Sequence, residues 1–172
     1  MDAAPQEHRV VKTLPIDVTL TEAEIVYAAS AGAVRRLRNE REGLEEAHGV
    51  KRDDGNGWDR EIVGAIGEIA VAKALRVYWN GNGTDRKRPD VGPWDVRSTS
   101  LPHGKLIIHK NDPDERVIFL VTGKAPTLSV RGWLRAIDGK RPEYWDDKKP
   151  RPAFFVPQDK LHREIRGKQR ED

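Results

Sequence analysis

The chain has 172 residues, of which 37% are apolar and 34% charged, with no cysteine and a net charge of +3. That length suits one domain with extensions and is enough to bury a core. The lack of cysteine excludes disulfides, thiolate zinc sites and cysteine nucleophiles. No apolar run is long enough for a transmembrane helix, and MDAAPQEHRV lacks the apolar stretch of a signal peptide, so a cytoplasmic protein without membrane contact is expected.

Residues 1–12 read as a flexible arm and 166–172 as a flexible tail, around a single domain over 13–165. LPIDVTL alternates as a short strand. Thr21 with Glu24 forms a capping box in TEAE, which predicts an N-terminal helical extension over 21–47 with Gly43 as its weak point. HGVKRDDGNG is a loop, and the core follows over 58–165. WDREIVGAIGEIAVAKAL predicts a second helix from Trp58 to Leu75. On a helical wheel Ile62, Val63, Ile66, Ile69, Ala70 and Ala74 fill one broad face. Glu68 lies elsewhere, among Gly64, Ala65, Ala72 and Leu75. A carboxylate with small neighbours points across a close seam, not into open solvent.

RVYW reads as strand-like, and NGNGTDRKRPD as a turn-rich loop. WDVRSTS alternates, with Asp95 and Arg97 on one side and Trp94, Val96 and Ser98 on the other. KLIIHK follows after the turn LPHG, which suggests a hairpin. RVIFLVTG is nearly all apolar and predicts a central buried strand. TLSVRGWLRAI is a further strand, with Gly132 a candidate bulge. PAFFVP is a short strand, and QDKLHREI a closing helix. The order predicts an α/β or α+β domain, a mixed sheet flanked by helices.

The chemistry concentrates in RPDVGPWDVR. Asp90 follows Pro89, Asp95 comes five residues later, and Arg97 shares the face of Asp95. From Arg86 to Lys110 six basic residues stand against these two acids, a balance suited to a polyanion. Asp90, Asp95 and Glu68 come from three local elements and could converge on one hard cation, which takes few protein carboxylates, several waters and substrate phosphate oxygens. The plainer alternatives are a turn residue, an exposed strand pair, a solvated helix residue and a solvated basic loop. The five histidines show no metal-ligand spacing. The tryptophans read mainly as core, with Trp79 and Trp145 as candidates for stacking on bases.

RPDVGPWDVR resembles the signature of the PD-(D/E)XK nuclease superfamily, and GAIGEIAVAKAL resembles the helix that carries its additional glutamate. The likeness covers about Trp58 to Thr122. More loosely, the text as far as RGWLRAI and RPAFFVP is similar to small nuclease-like proteins of phages and bacteria. The resemblance implies a restriction-endonuclease-like fold and an endonuclease or exonuclease acting on DNA with Mg²⁺ or Mn²⁺. Carried over, the metal ligands are Asp90, Asp95, the Val96 carbonyl and Glu68. The superfamily's lysine falls at Arg97, which keeps the charge but cannot serve as a base. Lys110 and Lys105, on opposite faces of the next strand, are the candidate replacements; Lys110 is preferred, and His109 shares the face of Lys105. The superfamily often dimerises, which leaves a homodimer open. The alternative is a catalytically silent nucleic-acid- or protein-binding module on the same scaffold.

Overall fold

Thr21 starts the first helix because it satisfies two donors reciprocally. Its hydroxyl accepts the Glu24 N–H at 3.2 Å, and its own N–H donates to Glu24 Oε2 at 2.7 Å, the box that TEAE predicts. Helix α1 then spans Glu22–Arg41. The computed structural model describes residues 10–42, 57–81 and 88–167, so the expected extension of this helix over 43–47 lies outside the described residues. Helix α2 spans Gly57–Leu75.

The centre of α2 is buried all round, from Gly67 through Ala72. Val63, assigned to its apolar face, is instead 42% exposed. The reason is that α2 has two neighbours. Helix α1 crosses it at Gly32, where an added Cβ would lie 2.6 Å from the Glu61 carbonyl oxygen. On the other side Gly67 abuts the Ser98 hydroxyl and Val96. Packing on both sides removes the single apolar stripe that a surface helix shows.

The strands are β1 (Val10–Thr13), β2 (Ile16–Thr19), β3 (Trp94–Thr99), β4 (Leu106–Ile108), β5 (Val117–Lys124), β6 (Thr127–Arg135), β7 (Trp145–Asp146), β8 (Ala153–Val156) and β9 (Glu164–Gly167). A short helix α3, Ala136–Gly139, follows β6. The main sheet has the order β2-β6-β5-β3, with β3 parallel to β5 and the other pairs antiparallel. A second antiparallel sheet has the order β4-β8-β7, and β1 pairs with β9. The protein is thus α+β, with the two long helices on one face of the mixed sheet.

RVIFLVTG becomes β5, internal to the main sheet as its continuous apolar text predicts. Its alternation divides the core in two. Phe119 and Val121 pack with Ala65 and Val71 of α2, and Ile118 and Leu120 pack with Leu106, Ile108 and Val156. The layers run helices, main sheet, second sheet. Opposite β5 the register slips between Leu120↔Gly132 and Val121↔Val130, a bulge at Arg131 beside the glycine that predicted one.

Four expectations are corrected. First, β3 and β4 form no hairpin: β3 pairs in parallel with β5, while β4 joins β8 in the second sheet. Second, QDKLHREI is not a helix. Only Gln158–Lys160 make a 3₁₀ turn, after which His162 exchanges two backbone bonds with Trp133 and Glu164 begins β9. Tertiary pairing overrides the local pattern there. Third, RVYW forms no strand. Arg76 takes a left-handed φ of 57°, and the Val77 N–H closes α2 on the Ala72 carbonyl at 3.0 Å. Fourth, residues 10–12 and 166–167, expected within the arm and tail, belong to paired strands, since Val10–Thr13 pairs with Glu164–Gly167; the rest of both segments lies outside the described residues.

The α1–α2 seam can be tested with two alanines. Gly32→Ala forces the helices apart and should cost about 1–3 kcal/mol in urea denaturation. Gly64→Ala, on the same α2 but with nothing within 4 Å of the added Cβ, should gain about 0.5–1 kcal/mol. Equal effects of the two substitutions would refute the close seam.

Candidate functional site at the open edge of the main sheet

Strand β3 ends the main sheet, so one side of its backbone faces away from β5. The Val96 N–H donates from there to Asp90 Oδ2 at 2.8 Å. Just before the strand, Val91 and Trp94 exchange two backbone bonds of 2.9 Å, a tight return through Gly92 and Pro93. That return folds Asp90 back alongside the strand that carries Asp95.

Alternation along β3 turns Asp95 and Arg97 toward the second sheet. Asp95 Oδ1 accepts from Arg116 Nη1 at 2.8 Å. Arg97 Nη2 donates to Asp112 Oδ1 at 3.1 Å. Asp112, only 7% exposed, also accepts the His109 N–H at 2.8 Å, and its carbonyl receives Lys140 Nζ at 2.6 Å.

Glu68 approaches from α2 on the helix side. It is 4% exposed, and both of its oxygens are engaged. Arg35 Nη1 and Nη2 donate to Oε1 and Oε2, each at 2.6 Å, and Trp79 Nε1 donates to Oε2 at 3.0 Å. The seam of small residues therefore conceals an ion pair. Burial works against the Arg35 charge, but Glu68 more than offsets this and holds the guanidinium above its usual pKa.

The electrostatics show which groups share one field. Asp90 is raised to about 7, first by burial and then by the charges of Glu68 and Asp95, with the Val96 N–H and Arg97 pulling the other way. Burial also raises Asp95, against the opposing pull of Arg116 and Arg97. Asp90 thus feels Glu68, Asp95 and Arg97 together, and Asp95 feels Arg97. Two of the expected site residues have partners of their own. Glu68, expected as a metal ligand, accepts from Arg35 and Trp79 on both oxygens. Lys110, expected as the replacement cation, extends over the Trp145 ring at 4.3 Å from its centre.

Arg35, Arg116 and Asp112 are the members that sequence reasoning missed. Arg116 opens the apolar text of β5, and its place beside Asp95 follows from the parallel register that sets Trp94 opposite Val117. Nothing in the local text announces that register. Among the described residues no group of three or more histidine or acidic side chains is arranged to hold a metal ion. None of the helices there is long and apolar enough to cross a membrane. Comparison with protein-family models, curated proteins and solved structures finds no match.

Two measurements test the site. Arg35→Leu strands a buried carboxylate and should cost about 3–5 kcal/mol in chemical denaturation; wild-type stability would show that the pair anchors nothing. The second concerns pH. A carboxyl raised from 3.8 to about 7 binds more protons folded than unfolded between those values, so its contribution to stability falls as pH rises through that window and levels off above it. Asp90→Asn keeps an acceptor for Val96 and removes the titration. In EDTA its melting temperature should exceed the parent's above pH 7, with the difference shrinking toward pH 4. A difference that does not vary with pH would contradict the raised carboxyl.

Proposed function

We propose that this protein hydrolyses DNA phosphodiester bonds with a divalent cation, Mg²⁺ or Mn²⁺, at the edge of β3. The observation that carries the reading is Asp90 itself, buried, bonded to the edge of β3 and facing the charges of Glu68 and Asp95, so that burial first and those charges second lift it to about 7. A cation relieves that repulsion. Asp90, Asp95 and the Val96 carbonyl would hold it, a donor set suited to Mg²⁺, which keeps waters and takes one or two carboxylates plus phosphate oxygens. When bound, the ion supplies charge neutralisation and a more acidic water.

The chain's own residues do the remainder. Arg97 and Arg116 lie against Asp112 and Asp95 and carry the donors that a phosphate needs. An arginine fork matches phosphate oxygens in pairs and stays charged at any working pH. Neither arginine can take a proton, so in this reading the general base is a carboxylate or a second water. Glu68, held by Arg35, keeps the field at Asp90 negative without occupying the ion. The resemblance of RPDVGPWDVR to the PD-(D/E)XK signature supports the same assignment, with Arg97 at the lysine's place. A second reading, a silent binding module, is favoured by the internal pairing of all these charges.

Cleavage of circular and linear DNA in Mg²⁺, Mn²⁺ or EDTA separates the two. The hydrolytic reading expects metal-dependent cleavage that Asp95→Asn abolishes. Arg97→Ala should slow turnover roughly 10²- to 10³-fold, the usual loss for one charged transition-state donor, and Arg97→Lys should retain most activity. Loss of circular substrate identifies an endonuclease. DNA left intact under all metal conditions, with binding retained, would leave the silent module.

A further inference from the structure

The main sheet carries a row of aromatic side chains on the face that Val96 shares. Trp94 pairs with Val117 across β3 and β5, and Phe119 pairs with Trp133 across β5 and β6. These residues, with His162, Arg163 and Ile165, line an open cleft of about 560 Å³. Trp94 meets Phe119 edge-on with centroids 5.5 Å apart. The Trp133 and His162 rings lie 4.6 Å apart at a tilt of 41°. Trp133 Nε1 donates to the Glu164 carbonyl at 3.0 Å, which satisfies the polar edge of the indole and fixes its orientation. His162 is held through its backbone, by two bonds to Trp133, while the residue itself is exposed.

We propose that this cleft receives one unpaired nucleobase of a polynucleotide whose backbone passes the edge of β3. The ligand class rests on the phosphodiester reading given above; the cleft itself does not. Three features carry the inference. Flat aromatic walls, with the polar edge of Trp133 already bonded, suit a planar π ligand, because every base has a face to stack. The volume falls in the ordinary range for small-ligand sites, roughly 300–1,000 Å³. Position supplies the third. Trp94 and Asp95 are neighbours in the chain, with Cα atoms about 3.8 Å apart, and alternation sends their side chains to opposite faces. Because β3 is the last strand, a nucleic-acid chain rounding that edge can offer a phosphate to the Asp95 side and a base to the Trp94 side. The charged residues Arg163 and Glu164 in the lining suit the polar edge of a base better than an acyl chain.

The test is binding in EDTA, where no metal-dependent cleavage intervenes. Fluorescein-labelled oligothymidylate and an abasic phosphodiester of the same length are titrated with the full-length protein, and anisotropy is read. The base-bearing strand should bind more tightly by roughly 5- to 150-fold, the equivalent of one stacked base. Trp133→Ala and His162→Ala should each reduce that ratio. His162→Ala is the safer of the two, since only the backbone of His162 bonds to Trp133. Equal affinity for the two strands, or a ratio unchanged in both variants, overturns the proposal. Base-dependent binding by a protein that cleaves nothing in Mg²⁺ or Mn²⁺ sustains the cleft and sinks the hydrolytic reading. Metal-dependent cleavage without base dependence does the reverse.

Discussion

The buried pair of Arg35 and Glu68 is the constraint on which the rest of the structure depends. Two charged side chains leave water here, a costly transfer that only near-ideal geometry repays. The two parallel bonds of 2.6 Å and the indole N–H of Trp79 meet that demand. Three pieces of chain are thereby tied together: α1, α2 and the segment after α2. Arg35 Nη2 also reaches the Gly81 carbonyl at 3.4 Å, so the chain leaving α2 is held at the same point. Such a pair does more for uniqueness than for net stability, because any arrangement that separates the partners strands a buried charge.

The pair also sets the electrostatic character of the sheet edge. Glu68 is fixed beside its guanidinium, and its charge helps to raise Asp90. Asp90 is attached to the strand by one backbone bond from Val96, while Asp95 and Arg97 find opposite charges on the far side of β3. The edge of β3 is thus a narrow seam between two layers of charge. Edge strands usually need protection from pairing with another chain. Here Asp90 accepts the outward Val96 N–H, so the group that crowds the carboxylates also blunts the edge.

The central strand explains why both faces of the sheet are occupied. Isolated β-sheets with one exposed apolar face do not persist, and β5 has two apolar faces. The helices cover one and the β4-β8-β7 sheet covers the other. Covering the second face requires β4 to leave β3, which is the physical reason that proximity in sequence did not become a hairpin. It also carries Lys110 away to the Trp145 ring.

The sequence by itself determined whatever depends on local chemistry. The capping box at Thr21, the extent of α2, the buried character of β5, the bulge beside Gly132 and the shared face of Asp95 and Arg97 follow from residue types at short spacing. Even the burial of Glu68 was legible, because Gly64, Ala65 and Ala72 signalled a seam. Only the tertiary structure decided what filled that seam and which cations met which acids. Arg35 lies 33 positions from Glu68 in the chain, and Arg116 lies 21 positions from Asp95. Partners at such distances are selected by the crossing of helices and by the parallel register of β3 on β5, and these are settled when two cores close at once. QDKLHREI shows the same limit from the other side. Its local pattern favours a helix, yet Trp133 offers its backbone to His162, and pairing with a distant strand outweighs the propensity of a short segment.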